Sequence, residues 1–192
     1  MRSLYGKKAR ALGWKTAPAD SEATRQLRDR VVPWMATRGG DTKLQSQANA
    51  LAREWLANRR GLDPDSVTPL LRAAAWGGDR ALYNLLIAAI RSSKIQRERQ
   101  WTINAIPWFR DLSITRSALD LIFEPGIDPR ELQPILFNPQ MEVRPVVWEF
   151  VKTNFDRLNS TLPGARGIPF GATLPRAAAG FCDAAKAGDV EA

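Results

Sequence analysis

The sequence contains no histidine, and that absence removes more chemistry than any motif in the chain supplies. Without an imidazole there is no Ser-His-Asp or Cys-His arrangement, no His-Glu-x-x-His zinc helix and no histidine acid or base. Cysteine is nearly absent too. Cys182 is the only one, so the chain can form no internal disulfide and no mixed Cys-His metal site. With no base partner, Cys182 reads as a buried, inert thiol. A chain so poor in cysteine suits a reducing compartment, and a cytoplasmic location is expected. Long apolar runs are also missing. No stretch approaches the roughly 20 consecutive apolar residues that span a bilayer, and Met1 to Lys8 is not followed by the apolar core of a signal peptide. No membrane partner is expected. Nor is there a Gly-x-x-x-x-Gly-Lys-Ser/Thr run; Gly39-Gly40 and Gly77-Gly78 follow helical stretches rather than strands, which makes them turns and not phosphate cradles.

What is present belongs to a folded chain. Hydrophobic residues are 44% and charged residues 25% of 192 positions, enough for one ordinary domain and too apolar for disorder. The net charge of +8 is uneven: residues 1–60 carry thirteen Lys and Arg against five acids, whereas 121–150 is acidic. A strongly basic chain invites a nucleic-acid reading. No aromatic-basic interleaving or groove-reading motif accompanies the charge, so solvated arginine-rich helix faces explain it more simply.

Helical punctuation recurs, and strand signals are scarce. Gly40-Asp41 and Gly78-Asp79 each set a helix-ending glycine beside a helix-starting aspartate, and the pair returns at Gly188-Asp189. The first two pairs lie 38 residues apart, near the length of a helix-pair repeat. Asp63-Pro64 and Asp128-Pro129 carry the second start signal, an aspartate N-cap with proline at the first helical position. Between the marks, Leu44, Ala48, Leu51, Ala52, Trp55 and Leu56 keep helical spacing, as do Leu82, Leu85, Leu86, Ala89 and Ile90. Val147, Phe150, Val151, Phe155 and Leu158 form another stripe, widened by Trp148, the pattern of a helix packed on two sides. Helices are expected near 3–11, 21–38, 41–59, 64–77, 79–91, 94–106, 111–124, 129–137, 142–160, 171–181 and from 188 onward. Pro69 can kink its helix and Pro107 ends the one before it. The segment Leu162–Gly171, rich in glycine and proline, is expected to be an exposed connection. The expected fold is all-α: an α-solenoid of antiparallel helix pairs of the HEAT or armadillo kind, one domain over 1–192. Tetratricopeptide repeats are the nearest alternative, but their Trp, Gly and Tyr pattern does not recur.

Catalytic candidates are thin. Glu98, Asp111, Asp120, Glu124 and Glu131 offer no spacing that singles out an acid-base pair, so no catalytic residue, metal ligand or cofactor-binding residue is assigned. The polar group that stands out is Arg91, Lys94, Arg97 and Arg99. Lys94 and Arg97, with Arg91 if the helix extends back, would line one face, and Arg99 points elsewhere. These four are the candidates for contact with the carboxylate end of a peptide, because arginine forks match carboxylates. A solvated face around Glu98 is the plainer explanation. The seven tryptophans read as inter-helix packing rather than a ligand cage.

One ordered series carries a family resemblance. Leu12-Gly13-Trp14 is followed by the Asp20–Arg28 segment, Asp63-Pro64-Asp65, Ala73-Ala74-Ala75, Gly78-Asp79, Arg97-Glu98-Arg99, Arg110-Asp111, and Trp148-Glu149-Phe150 with Asn154-Phe155-Asp156. The series resembles the C-terminal helical domain of zinc aminopeptidases of the aminopeptidase N and puromycin-sensitive type. The resemblance implies a non-catalytic domain that packs on a catalytic domain of the same polypeptide, encloses a peptide-binding chamber and limits substrate access. It places zinc and cleavage in the parent, where His-Glu-x-x-His and a Gly-x-Met-Glu-Asn loop do the work. Neither motif is here; Met141-Glu142 lacks the glycine and the asparagine. Phe155 stands where many relatives have tryptophan. On this reading the chain is a fragment of a larger aminopeptidase, truncated inside a helix near Asp189–Ala192. The alternative is a free-standing helical-repeat scaffold that binds an acidic protein or nucleic acid.

Overall fold

A computed structural model describes residues 2–164, 168–179 and 181. Cys182, the Gly188-Asp189 pair and the helix expected from 188 onward lie outside the described residues. Regular structure is helical with no strand among the described residues, and the fold is the expected all-α, solenoid-like one. The chain divides into two compact units, Met1–Phe109 and Arg110–Ala192.

The first unit holds α1 (Arg2–Leu12), α2 (Glu22–Ala36), α3 (Thr42–Asn58), α4 (Pro64–Trp76), α5 (Arg80–Ser92), α6 (Gln96–Ile103) and a 3-10 turn, Ile106–Trp108. Neighbours in sequence pair, α1 with α2, α3 with α4 and α5 with α6. The pairs then stack in two layers, with α2 against α4 and α4 against α6 in one and α3 against α5 in the other. Pro107, in the first turn of the Ile106–Trp108 segment, has no N–H to extend α6, so the chain tightens there.

Side-chain caps begin these helices. The Leu44 amide donates to Asp41 (3.1 Å), the Asp65 amide to Asp63 (3.1 Å) and the Leu82 amide to Asp79 (2.7 Å). Two of these caps have a second partner. Asp41 at the start of α3 accepts from Arg10 of α1 at 2.6 Å, and Asp79 at the start of α5 accepts from Arg53 of α3 at 2.8 Å. The 38-residue spacing of the Gly-Asp pairs is therefore a repeated clamp: each aspartate starts one helix and ties it to the helix two before. The two glycines serve different needs. Gly40 has φ +63°, a left-handed turn. At Gly78 a Cβ would meet Phe109 Cε1 at 2.7 Å and the Ala74 carbonyl at 3.0 Å, so glycine is needed for close approach.

The stripes pack largely as expected. Leu44, Ala48, Ala52 and Trp55 of α3 are buried, as are Leu82, Leu86, Ala89 and Ile90 of α5. Leu85 is 42% exposed and does not belong to the core. Tyr83 and Ile87 are buried on the opposite flank, so the buried arc of α5 is centred about 120° away from Leu85 at 100° per residue.

The second unit holds α7 (Leu112–Asp120), α8 (Gln133–Phe137), α9 (Arg144–Thr153) and α10 (Phe155–Thr161), with 3-10 segments at Leu121–Phe123, Met141–Val143 and Phe170–Ala178. Three expectations change here. A helix from 129 would put Pro134 in its interior, where it removes a hydrogen bond and clashes; the chain instead turns at Asp128, which accepts from the Arg130 amide (2.9 Å), and α8 starts at Gln133 with proline in its first turn. The helix expected over 142–160 stops at Asn154, whose side chain donates to the Phe150 carbonyl (2.9 Å). That break shifts the phase, leaving Phe155 43% exposed while Val147, Trp148, Val151 and Leu158 stay buried. α9 does pack on two sides, against α7 and against Phe170–Ala178. The stretch expected as an α-helix over 171–181 is that 3-10 segment, with Pro175 inside it. Leu162, Phe170 and Gly171 are buried ends of a connection whose Pro163, Gly164, Ile168 and Pro169 are exposed; residues 165–167 lie outside the described residues.

Two predictions concern stability. Gly78→Ala must move Phe109 or the backbone of α4 and should cost about 1–3 kcal/mol in urea unfolding. The clamping aspartates should also make stability depend on acid. Burial alone would raise the Asp41 carboxyl, but the Leu44 amide and Arg10 outweigh it and hold it below its ordinary 3.8. The Leu82 amide holds Asp79 below 3.8, opposed by burial and helped by Arg53. Carboxyls lowered in the folded state stabilise it above the unfolded value and lose that contribution as pH falls through the folded value. Urea midpoints should therefore be level from roughly pH 5 to 7 and fall below about pH 4, with a shallower fall in Asp41→Asn with Asp79→Asn.

Candidate functional site

The basic residues near α6 are placed by a serine. In the turn between α5 and α6, the Ser93 hydroxyl accepts from the Ile95 amide (3.2 Å) and donates to Glu98 (3.2 Å). Such local bonding competes with helix geometry, and α6 begins at Gln96 instead of 94. Arg91 therefore lies in the last turn of α5 and Lys94 in the turn that follows, so the α6 face does not extend back to either. Arg97 lies over the Trp101 ring at 4.9 Å. Arg99 points back and donates to the Ser93 carbonyl at 3.1 Å. Lys94 is exposed and has no hydrogen bond or ion pair among the described residues. Glu98, at the centre of the group, is engaged by Arg59 at 3.5 Å as well as by Ser93.

The tryptophans divide in a way their spacing does not show. Trp14, Trp55 and Trp148 are buried; the Trp14 indole donates to the Leu44 carbonyl at 2.9 Å. Trp55 and three others in the first unit, Trp76, Trp101 and Trp108, join arginines in two short stacks. One runs Arg59, Trp55, Trp101, Arg97, with guanidinium-to-ring distances of 4.6 and 4.9 Å around a ring pair 6.0 Å apart. The other runs Arg38, Trp76, Trp108, Arg72, with 4.9 and 5.7 Å around a pair 6.2 Å apart. Cation–π contact of this kind holds arginines rigid and leaves their edges for hydrogen bonds.

The second stack borders an open cleft of about 660 Å³ between α2, α4 and the Ile106–Trp108 turn. Pro33, Pro69 and Ala73 form apolar wall, and Trp34 stands at the cleft 37% exposed. Asp29, Arg38 and Arg72 bring charge to it. Asp29 accepts from the Ser66 hydroxyl at 3.0 Å, and Arg72 donates from Nε to the Asn104 carbonyl at 3.3 Å. Burial holds the Arg72 guanidinium below its ordinary pKa. Sequence reading did not find this cleft; the signals that point to it are Pro33 within α2 and Pro69 within α4.

The described side chains do not fit a zinc site. The chain has no histidine, and no group of three or more His, Cys, Asp or Glu is placed to hold a metal ion among the described residues. No described helix is long and apolar enough to cross a membrane.

Comparison with known proteins gives two findings. The family model described as the ERAP1-like C-terminal domain matches residues 1–192. Aminopeptidase M1-C of Oryza sativa subsp. japonica is 22% identical over 165 residues, covering 82% of this chain and 18% of that protein. The chain thus spans under a fifth of the length of this curated relative.

The α6 contacts predict unequal costs. Glu98→Ala removes the partner of Arg59 and Ser93 and should lower stability by about 1 kcal/mol. Lys94→Ala should stay within about 0.5 kcal/mol of the parent sequence in the same urea titration.

Proposed function

Because this chain belongs to the ERAP1-like C-terminal domain family, we propose that it is the non-catalytic helical domain of a zinc-dependent aminopeptidase, packing on a catalytic domain and enclosing the chamber that holds the peptide. The family match over the whole chain carries the reading. The absence of histidine supports the division of labour, since neither the zinc helix nor an imidazole base can come from these residues. Zinc and peptide cleavage belong to the parent's catalytic domain. The contribution of this domain is shape and charge: stacked helix pairs provide a stiff wall, and hinge movement of such a wall admits or encloses substrate. Arg91, Lys94, Arg97 and Arg99 are the proposed peptide contacts. Lys94, exposed and without a partner among the described residues, has the most freedom to meet a substrate carboxylate.

The purified chain should neither hold stoichiometric zinc by metal analysis nor release p-nitroaniline from Leu-p-nitroanilide. Joined to the rest of its parent, it should change the ratio of kcat/KM for long peptides to that for the anilide. Cleavage by the chain alone that survives repurification would defeat the reading, as would an unchanged ratio.

A further inference from the structure

The cleft between α2 and α4 is lined by one carboxylate, Asp29, and two guanidiniums, Arg38, which stacks on Trp76, and Arg72. Asp29 and Arg72 both line it, yet neither is in an ion pair among the described residues. Asp29 is held only by the Ser66 hydroxyl, and Arg72 spends one donor, Nε, on the Asn104 carbonyl, so its terminal nitrogens remain available. Pro33 adds a second acceptor on the Asp29 side. Proline has no N–H, so the Asp29 carbonyl lacks the donor four residues on that the helix would otherwise give it. Trp34, Trp108 and Pro69 line the same cleft. A volume of about 660 Å³ is within the usual range of small-molecule sites, about 300–1,000 Å³.

The geometry points to a binding site for a small zwitterion with an aromatic or bulky apolar side chain, a free α-amino acid or a dipeptide. Its ammonium meets Asp29 and its carboxylate meets Arg72, while its side chain packs on Trp34 and Trp108. Other ligand classes fit less well. A polyphosphate or nucleic acid meets Asp29 with like charge, a simple anion leaves that carboxylate unanswered, and a neutral apolar ligand leaves both charges without partners. This site needs only the present chain, so it stands or falls separately from the enclosing role.

Calorimetry and tryptophan fluorescence on the 192-residue chain test it, with L-phenylalanine, Phe-Phe, N-acetyl-L-phenylalanine and L-phenylalaninamide as probes. Saturable binding of L-phenylalanine or Phe-Phe is expected, and which of the two binds tighter identifies the natural length. Each blocked derivative should bind about tenfold weaker or worse. Arg72→Met and Asp29→Asn should each weaken the zwitterion about tenfold, with Arg72→Lys recovering part of the loss and far-UV circular dichroism unchanged. Trp34→Ala, at an exposed position, should weaken binding without lowering the melting temperature. No saturation by either zwitterion up to roughly 10 mM overturns the proposal. Equal binding of the acetylated and amidated forms also overturns it.

Discussion

In the first unit, two helices, α3 and α5, begin at aspartates that also tie them to an earlier helix. Asp41 supplies one oxygen to the Leu44 amide and the other to Arg10 on α1; Asp79 serves the Leu82 amide and Arg53 on α3 through the same oxygen, Oδ1. The two copies are not equal in weight. The Asp41 side chain is only 4% exposed, so its ion pair is shielded and losing one partner leaves a buried charge, whereas Asp79 is 64% exposed and its pair contributes at most about 1 kcal/mol. The inner clamp bears on stability, and the outer one mainly on the register of α5.

The two-layer stack follows from those anchored starts. With α3 and α5 fixed at their N-termini, their apolar stripes face one another, and the return helices α4 and α6 form the second layer. Close contact at Gly78 lets Phe109 and Tyr83 meet edge to face, with centroids 5.8 Å apart. The second unit is built differently, from shorter helices interrupted at prolines and at Asn154, with α9 as its inner element. Longer helices give the first unit a regular repeat, and aromatic pairs join elements in both units, Phe123 with Phe150 and Phe137 with Phe170 in the second.

Much of the fold was legible because its signals are local. Aspartate caps at 41, 63 and 79 depend on residues two or three positions away, and the buried stripes of α3 and α5 on helical period alone. Where reading failed, a second local rule competed with the first. Asp128 resembled a cap, but Pro134 could not sit inside the helix it would have started; Phe155 kept the period, but Asn154 ended the helix before it. Leu85 fits the period too, and its exposure depends on which flank of α5 the neighbouring helices cover. The basic set of Arg91, Lys94, Arg97 and Arg99 was visible as charge, yet the turn at Ser93 assigns its members to a helix end, a turn, a ring and a carbonyl.

By itself the sequence determined the helical class, most helix starts, the family and the exclusion of histidine chemistry, since each rests on residue type or on contacts a few positions apart. Only the tertiary structure decided the cleft. Asp29, Arg72 and Trp108 come from three separate elements, and no spacing along the chain indicates that a carboxylate and a guanidinium will face one space without pairing. The same holds for the Arg–Trp stacks, where each arginine meets a ring according to how helices cross. Caps and periods are written in neighbouring residues, whereas a site is formed by the packing that brings distant ones together.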